Sequence, residues 1–411
     1  MYMNKTISIV SETLCTHLWN HAVVDIAKKK IRACCKTPSI QLSSDDIYWY
    51  DTDVFLNLDS VKADRQLMLD GGKPERCKTC WDLEDTGAFS FRDGSQAWHK
   101  YFDKLRYNNY TESYHPDNLD IQLDNYCDLK CLYCNEEFSS QWQSEKQKFE
   151  SLDYISIDKD YDKFKELFFD WFPTVKQNFK RIAFLGGEPL ISPTFYEYLD
   201  RIIELYAGTY PEELEFNIIT NLNTNKTYFD KFLRVIDKLK DKIKFNINVS
   251  MEAYGPQAEA IRHGVNYTRF KQNFETLAQV KGITLSTITT VNVLSLSTLH
   301  LYLEFLLELE SKYDIDIIFY PNLVSFPSHL QVSLLPSDLG NQYIDYATLV
   351  LMDKNHDSYI DFLNTLRTKF NFEELKGSPQ HLALITELEK LSVRRNINYK
   401  EIFTEYEYIW S

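Results

Sequence analysis

Three cysteines, Cys127, Cys131 and Cys134, stand in a C-x-x-x-C-x-x-C spacing within CDLKCLYC. Three thiolates on one loop can hold three irons of a [4Fe–4S] cube and leave the fourth iron without a protein ligand, open to a substrate or cofactor. Zinc sites usually close with four ligands from paired knuckles, which this spacing does not offer, and inert thiols are the remaining alternative. Downstream, Gly186-Gly187-Glu188-Pro189 follows the apolar run RIAFL. Paired glycines let a ligand approach main-chain N–H groups closely, and the Glu carboxylate can accept from an ammonium. A strand-to-helix turn uses Gly and Pro for structural reasons too, so the motif draws its weight from its place, one βα unit after the cysteine loop.

The elements that must position these residues are legible as alternating patterns. Residues 119–127, 181–187, 215–223, 244–252, 282–292 and 315–324 read as strands, separated by helical stretches such as 161–172, 195–206 and 299–310. Six βα units predict an α/β fold, a partial (β/α)6 TIM-like barrel with functional residues at the strand C-terminal ends. Residues 1–110 predict a small cysteine-rich metal-binding domain, 111–335 the barrel and 336–411 a helical C-terminal extension. In the first of these, HAVVDIAKKKIRACC reads as two short strands around a lysine-rich turn, and RCKTCWDLEDTG sets a C-x-x-C at the entry to a helix.

All eight cysteines fall within the first 134 of 411 residues. In a reducing compartment such a set is more naturally a group of metal ligands than a disulfide framework. Beyond the three-cysteine loop, Cys15, one or both of Cys34 and Cys35, Cys77 and Cys80 remain, and a zinc site built from four of their thiolates would staple a small domain with a thin core. The chain carries 45 Lys+Arg against 60 Asp+Glu, a net charge of −15. That balance disfavours nucleic acid, whose binding needs clustered cations. With no apolar run long enough for a membrane span and no signal-peptide order at the N-terminus, the expectation is a cytoplasmic protein that does not engage membranes.

Taken together, CDLKCLYC with Tyr133 before its third cysteine, followed by GGEP, resembles the radical S-adenosylmethionine (SAM) superfamily. The resemblance implies that Cys127, Cys131 and Cys134 ligate a [4Fe–4S] cluster and that SAM chelates its open iron. An electron from a donor such as flavodoxin or ferredoxin then cleaves SAM to a 5′-deoxyadenosyl radical, which abstracts hydrogen from a substrate. It further implies that Tyr133 lies against the adenine and that Gly186, Gly187 and Glu188 receive the methionine end. Thr220, Asn221, Ser250 and Glu252 would approach the ribose or the substrate, and Arg262 would face the SAM carboxylate. For Thr220, Asn221 and Ser250 turn chemistry is the plain alternative, and for Arg262 a structural ion pair.

The stretches CTHLW, IRACC, RCKTCWDLEDTGAFSFR, MEAYGPQAEAIRHG and PNLVSFPSHLQVSLLP narrow the resemblance to twitch-domain radical SAM proteins. In that group, cysteines such as Cys15, Cys34, Cys35, Cys77 and Cys80 hold a second, auxiliary iron–sulfur cluster. This chain departs from the pattern in its AKKK turn at 27–30, in His17 and Leu18 before Trp19, and in Glu252 where an Asp is usual. A peptide or protein side chain is the favoured substrate, with a small metabolite such as a sugar or nucleoside close behind. The alternative from another class is a catalytically silent, cysteine-rich metal-binding interaction protein.

Overall fold

The computed structural model describes residues 11–43, 57–85, 90–96, 116–151, 159–352 and 356–410. The expected boundary between residues 110 and 111 lies outside them. The chain divides into two compact units, the first comprising Met1–Asp124, Ser156–Leu185 and Tyr196–Phe216 and the second Asn125–Ile155, Gly186–Phe195 and Asn217–Ser411.

In the first unit, β1 (His21–Asp25), β2 (Lys30–Arg32), β3 (Ile40–Gln41), β4 (Asn118–Gln122) and β6 (Arg181–Leu185) lie in the order β6-β4-β1-β2-β3. β1 runs parallel to β4, and β4 parallel to β6, whereas the β1–β2 and β2–β3 pairs are antiparallel. The N-terminal hairpin is thus continuous with the sheet. Its lysine-rich turn closes with Lys29 at φ +55°. That left-handed conformation costs a side-chain-bearing residue more than glycine, and here the Lys29 ammonium is buried 3.0 Å from Asp160. α1 (Asp59–Leu69) precedes the C-x-x-C, whose Cys77 ends a short 3-10 turn (Glu75–Cys77) and whose Cys80 lies in α2 (Lys78–Asp85). α4 (Tyr161–Val175) buries Phe164, Leu167, Phe168, Trp171, Phe172 and Val175, the i, i+3, i+4, i+7 stripe of an amphipathic helix. α5 (Pro193–Tyr206) meets it through Tyr198, 4.8 Å from Phe169 between ring centroids.

The second unit repeats the βα logic with β7 (Glu215–Thr220, its last four residues), β8 (Lys244–Ser250), β10 (Ile283–Val291) and β11 (Ile317–Leu323), in the order β11-β10-β8-β7. The β8–β10 and β10–β11 pairs are parallel. The fold class is therefore α/β, with parallel strands and intervening helices. Parallel strands covered on both faces bury polar as well as apolar residues, which must then pair among themselves. Asn248 Nδ2 accordingly donates to Asn217 Oδ1 at 2.9 Å and Ser286 Oγ to Asn246 Oδ1 at 2.8 Å. α6 (Lys226–Leu239), α8 (Tyr267–Ala278) and α9 (Leu296–Tyr313) connect these strands, with the shorter α7 (Gly255–Ile261) after β8.

Two elements too short to show in any periodicity, β5 (Lys130–Cys131) and β9 (Arg262–His263), pair antiparallel with Cys131 opposite Arg262. α3 (Ser140–Glu150) follows the cysteine loop. After residue 335 the described chain includes α10 (Ser337–Leu351), α11 (Asp357–Leu366) and α12 (Pro379–Arg395). Among the described residues no helix is long and apolar enough to cross a membrane.

Candidate functional site

The cysteine loop of the second unit is held from several directions. The Cys127 N–H donates to Ser140 Oγ at 3.2 Å, Ser139 Oγ donates to the Leu129 carbonyl at 2.6 Å, and Trp142 Nε1 donates to the Cys131 carbonyl at 2.8 Å. Ser139 is also the N-cap of α3, accepting from the Trp142 N–H. The loop and the helix after it therefore fold as one piece. Burial pushes the Cys127 and Cys134 thiols above their usual range and Cys131 up to about 12, with Arg262 opposing the shift at Cys131. Buried thiols of this kind are inert as bare groups and become thiolates when a metal takes the proton's place.

The donor set fits a [4Fe–4S] cluster. None of the eight cysteines is disulfide-bonded. Among the described residues the three loop sulfurs do not all fall within 4.8 Å of one another, as ligands of one tetrahedral ion would. In a cube each thiolate takes its own iron.

Glu188 lies at the centre of the adjoining network and is 1% exposed. Oε1 accepts from Thr220 Oγ1 at 2.7 Å and from the Leu190 N–H at 3.1 Å, and Oε2 accepts from the Asn221 N–H at 2.6 Å. Burial, reinforced by Asp128, raises its pKa to about 7 against these hydrogen bonds. Asn221 Nδ2 in turn donates to Asp128 Oδ1 at 3.0 Å, and Asn223 Nδ2 to Asp128 Oδ2 at 2.7 Å. Asp128, the residue after Cys127, thereby ties the cysteine loop to the end of β7. Gly186 sits at φ +140°. A Cβ on Gly187 would meet the Tyr126 carbonyl oxygen at 2.3 Å, so only glycine lets the loop preceding Cys127 pass this close.

A second network joins Tyr133, Glu252 and Arg262. The Tyr133 hydroxyl donates to both Glu252 oxygens at 3.0 and 3.1 Å, and Arg262 donates from Nε at 3.1 Å to each and from Nη2 at 2.7 Å to Oε2. The Glu252 side chain is 0% and that of Arg262 5% exposed. Although burial opposes the charge on Arg262, Glu252 holds it well above its ordinary value. Arg262 thus makes the ion pair that was the plain alternative for it, and the longer Glu at 252 reaches both partners. Ser250 ends β8 half-buried, and among the described residues its hydroxyl has no hydrogen-bond partner.

Several residues of the site carry no motif. α12 sends Arg395 to the Lys130 carbonyl at 3.2 Å and to Glu145, whose other partner is Lys130 Nζ at 2.5 Å. The Arg395 guanidinium also lies 4.5 Å from the centroid of the Trp142 ring. Burial, with Arg395 and Lys130 nearby, lowers the pKa of His263 to about 4. The signals for these were weak: an Asp inside C-D-L-K-C, a Ser before a helix, and an Arg on an amphipathic stripe about 260 residues away.

In the first unit the remaining cysteines share one neighbourhood. Cys15 acts electrostatically on both Cys34 and Cys77, and Cys80 on Cys77. Burial above all raises Cys77 to about 12. His17, two residues after Cys15, stacks on Phe91 at 4.4 Å, and burial lowers its pKa to about 4. His21, which no sequence signal marked, lies with Cys34 and Cys35 so that their ligand atoms fall within 4.8 Å of one another.

Residues 121–306 match the Radical SAM superfamily. A GTP 3′,8-cyclase of Campylobacter lari is 24% identical over 178 residues, 41% of this chain and 48% of that protein, so the chain spans about half the length of this curated relative. Among solved structures, Streptococcus suis SuiB bound to S-adenosylmethionine aligns at a TM-score of 0.36 and 14% identity over 80% of this chain and 67% of that one. Native anSMEcpe with bound AdoMet aligns at 0.37 and 17% over 60% and 62%. Over residues 121–306, the chain carries a radical SAM superfamily domain.

Proposed function

We propose that the chain is an enzyme that cleaves SAM reductively and abstracts hydrogen from a bound substrate. The observation that carries this reading is the three-thiol loop, free of disulfides and braced by Asp128, Ser139, Ser140 and Trp142 inside a radical SAM domain. Cys127, Cys131 and Cys134 would hold a [4Fe–4S] cluster, which when bound supplies the open iron for SAM and the electron that releases a 5′-deoxyadenosyl radical.

The chain's own residues bind, orient and exclude water. Gly186 and Gly187 are assigned to the methionine end of SAM, with Gly187 packed against the Tyr126 carbonyl of the loop before Cys127, and Ser250 offers an uncommitted hydroxyl. Glu188 holds the ends of β7 and of the Gly-Gly turn together through Thr220, Asn221 and Leu190. Tyr133, Glu252 and Arg262 form a buried wall beside Cys131, fixing the aromatic ring proposed to lie against adenine.

The substrate we place first is a peptide or protein side chain, since a net charge of −15 favours a basic segment. A small metabolite is the second reading, supported by the similarity to a GTP 3′,8-cyclase. The proposal includes a reductant of the flavodoxin or ferredoxin class, a cytoplasmic setting, and a second metal on the N-terminal thiols, either an auxiliary iron–sulfur cluster or zinc.

The test is anaerobic reconstitution followed by a dithionite-driven assay for 5′-deoxyadenosine. About four irons and four sulfides that disappear in a Cys127→Ala/Cys131→Ala/Cys134→Ala variant, with 5′-deoxyadenosine formed only by the unmodified chain, are expected. An iron content left unchanged by the triple substitution, together with no SAM turnover by the unmodified chain, would overturn the reading and favour the silent metal-binding protein.

A further inference from the structure

The β1–β2 hairpin explains how His21, Cys34 and Cys35 meet. Its antiparallel register pairs Val23 with Arg32. Carried two residues further, that register sets Cys34 opposite His21. Immediately afterwards a turn closes on Thr37, whose N–H and Oγ1 donate to the Cys34 carbonyl at 3.1 and 2.9 Å. The turn folds Cys35 back toward Cys34, so both adjacent thiols join the group.

The imidazole is fixed from its other side. His21 Nε2 lies 3.0 Å from Asp120 Oδ2, and Arg181 Nη1 donates to Asp120 Oδ1 at 2.8 Å. The three residues come from the neighbouring parallel strands β1, β4 and β6, and His21 and Asp120 are buried. A carboxylate on the second ring nitrogen is the arrangement that orients a metal-binding histidine and raises its basicity. It leaves Nδ1 as the ligand atom.

We propose that His21, Cys34 and Cys35 form a mononuclear site for a borderline divalent cation of the zinc class, with Asp120 and Arg181 positioning the imidazole. The chemistry favours one ion over a cluster. Thiolates at about 2.3 Å and an imidazole at about 2.0 Å from a tetrahedral ion stand roughly 3.5–3.8 Å apart, within the 4.8 Å that the three ligand atoms span here. Thiolates of a cube each bind a different iron and stand farther apart. The assignment deepens the reading that the N-terminal thiols hold a metal, and it does not depend on the chemistry of the three-cysteine loop.

The test therefore uses the full chain carrying Cys127→Ala/Cys131→Ala/Cys134→Ala, with Zn2+ and Co2+ as probes. Expected are about one zinc per chain and a Co2+ spectrum with tetrahedral d–d bands and thiolate charge transfer. His21→Gln and Cys35→Ser should abolish both, Asp120→Asn should weaken the ion's affinity about 10- to 100-fold, and Cys77→Ser/Cys80→Ser should leave the stoichiometry unchanged. Circular dichroism identifies any variant that has lost its fold, and Cys35→Ser, at a half-buried position, is the mildest of them. Metal retained by folded His21→Gln and Cys35→Ser chains, metal lost on replacing Cys77 and Cys80, or an iron–sulfur chromophore reconstituted in this background would each overturn the assignment.

Discussion

Glu188 shows what the residue scale adds to the motif that contains it. Read in sequence, its carboxylate is an acceptor for an ammonium; in the structure it already accepts from Thr220, Leu190 and Asn221 while 1% exposed. A buried donor left without its acceptor costs about 1–3 kcal/mol. Glu188→Ala should accordingly destabilise the chain by about 3 kcal/mol or more in urea unfolding, and Glu188→Gln by less, since an amide oxygen still accepts. The Glu252–Arg262 pair follows the same logic with charge. Glu252→Gln leaves the buried guanidinium uncompensated, and the expected loss is about 3–5 kcal/mol, read from the unfolding midpoint. The residue types of this site were legible in the sequence and their partners were not. Nothing in MEAYGPQAEAIRHG says that Glu252 and Arg262, separated by the turn of α7, face each other and also meet Tyr133 more than 100 residues upstream.

At the scale of elements, helices and strands appear where apolar periodicity announces them, and their ends do not. The first barrel strand, read as 119–127, stops at Gln122, because the residues beyond it serve the cysteine loop rather than a ladder. β5 and β9, two residues each, have no periodicity to read, yet they set Cys131 against Arg262. Nothing in the apolar stripe of α12 says that it braces the cysteine loop through Arg395. Arg395→Met should destabilise the chain by about 3 kcal/mol and increase iron loss from the reconstituted loop, while Arg395→Lys should restore part of both. His263, held in the same cluster, gives a pH signature. Its folded pKa of about 4 lies below the ordinary 6.5. Between those values the unfolded chain binds a proton that the folded chain does not, so stability falls as pH drops from 6.5 toward 4. Urea midpoints at pH 7 and 4.5 should differ less in His263→Gln than in the unmodified chain.

At the scale of the whole molecule, the chain presents two sets of thiols in two compact units, and each set has its own logic. The C-terminal set lies on a loop whose three sulfurs are spread, and the N-terminal set converges on His21. Cysteine counting found both sets, because a thiol cluster in a chain without disulfides has few structural uses. It could not find His21 or Asp120, since their role depends on strand register and on a carboxylate 99 residues away. The most direct test of the central claim is the electron paramagnetic resonance spectrum of the reduced, reconstituted chain with and without SAM. A [4Fe–4S]+ signal whose g-values shift on adding SAM, and which is missing from Cys127→Ala/Cys131→Ala/Cys134→Ala, is the predicted result. A spectrum in which no cluster signal responds to SAM, or a SAM-responsive signal that persists in the triple variant, would contradict the account.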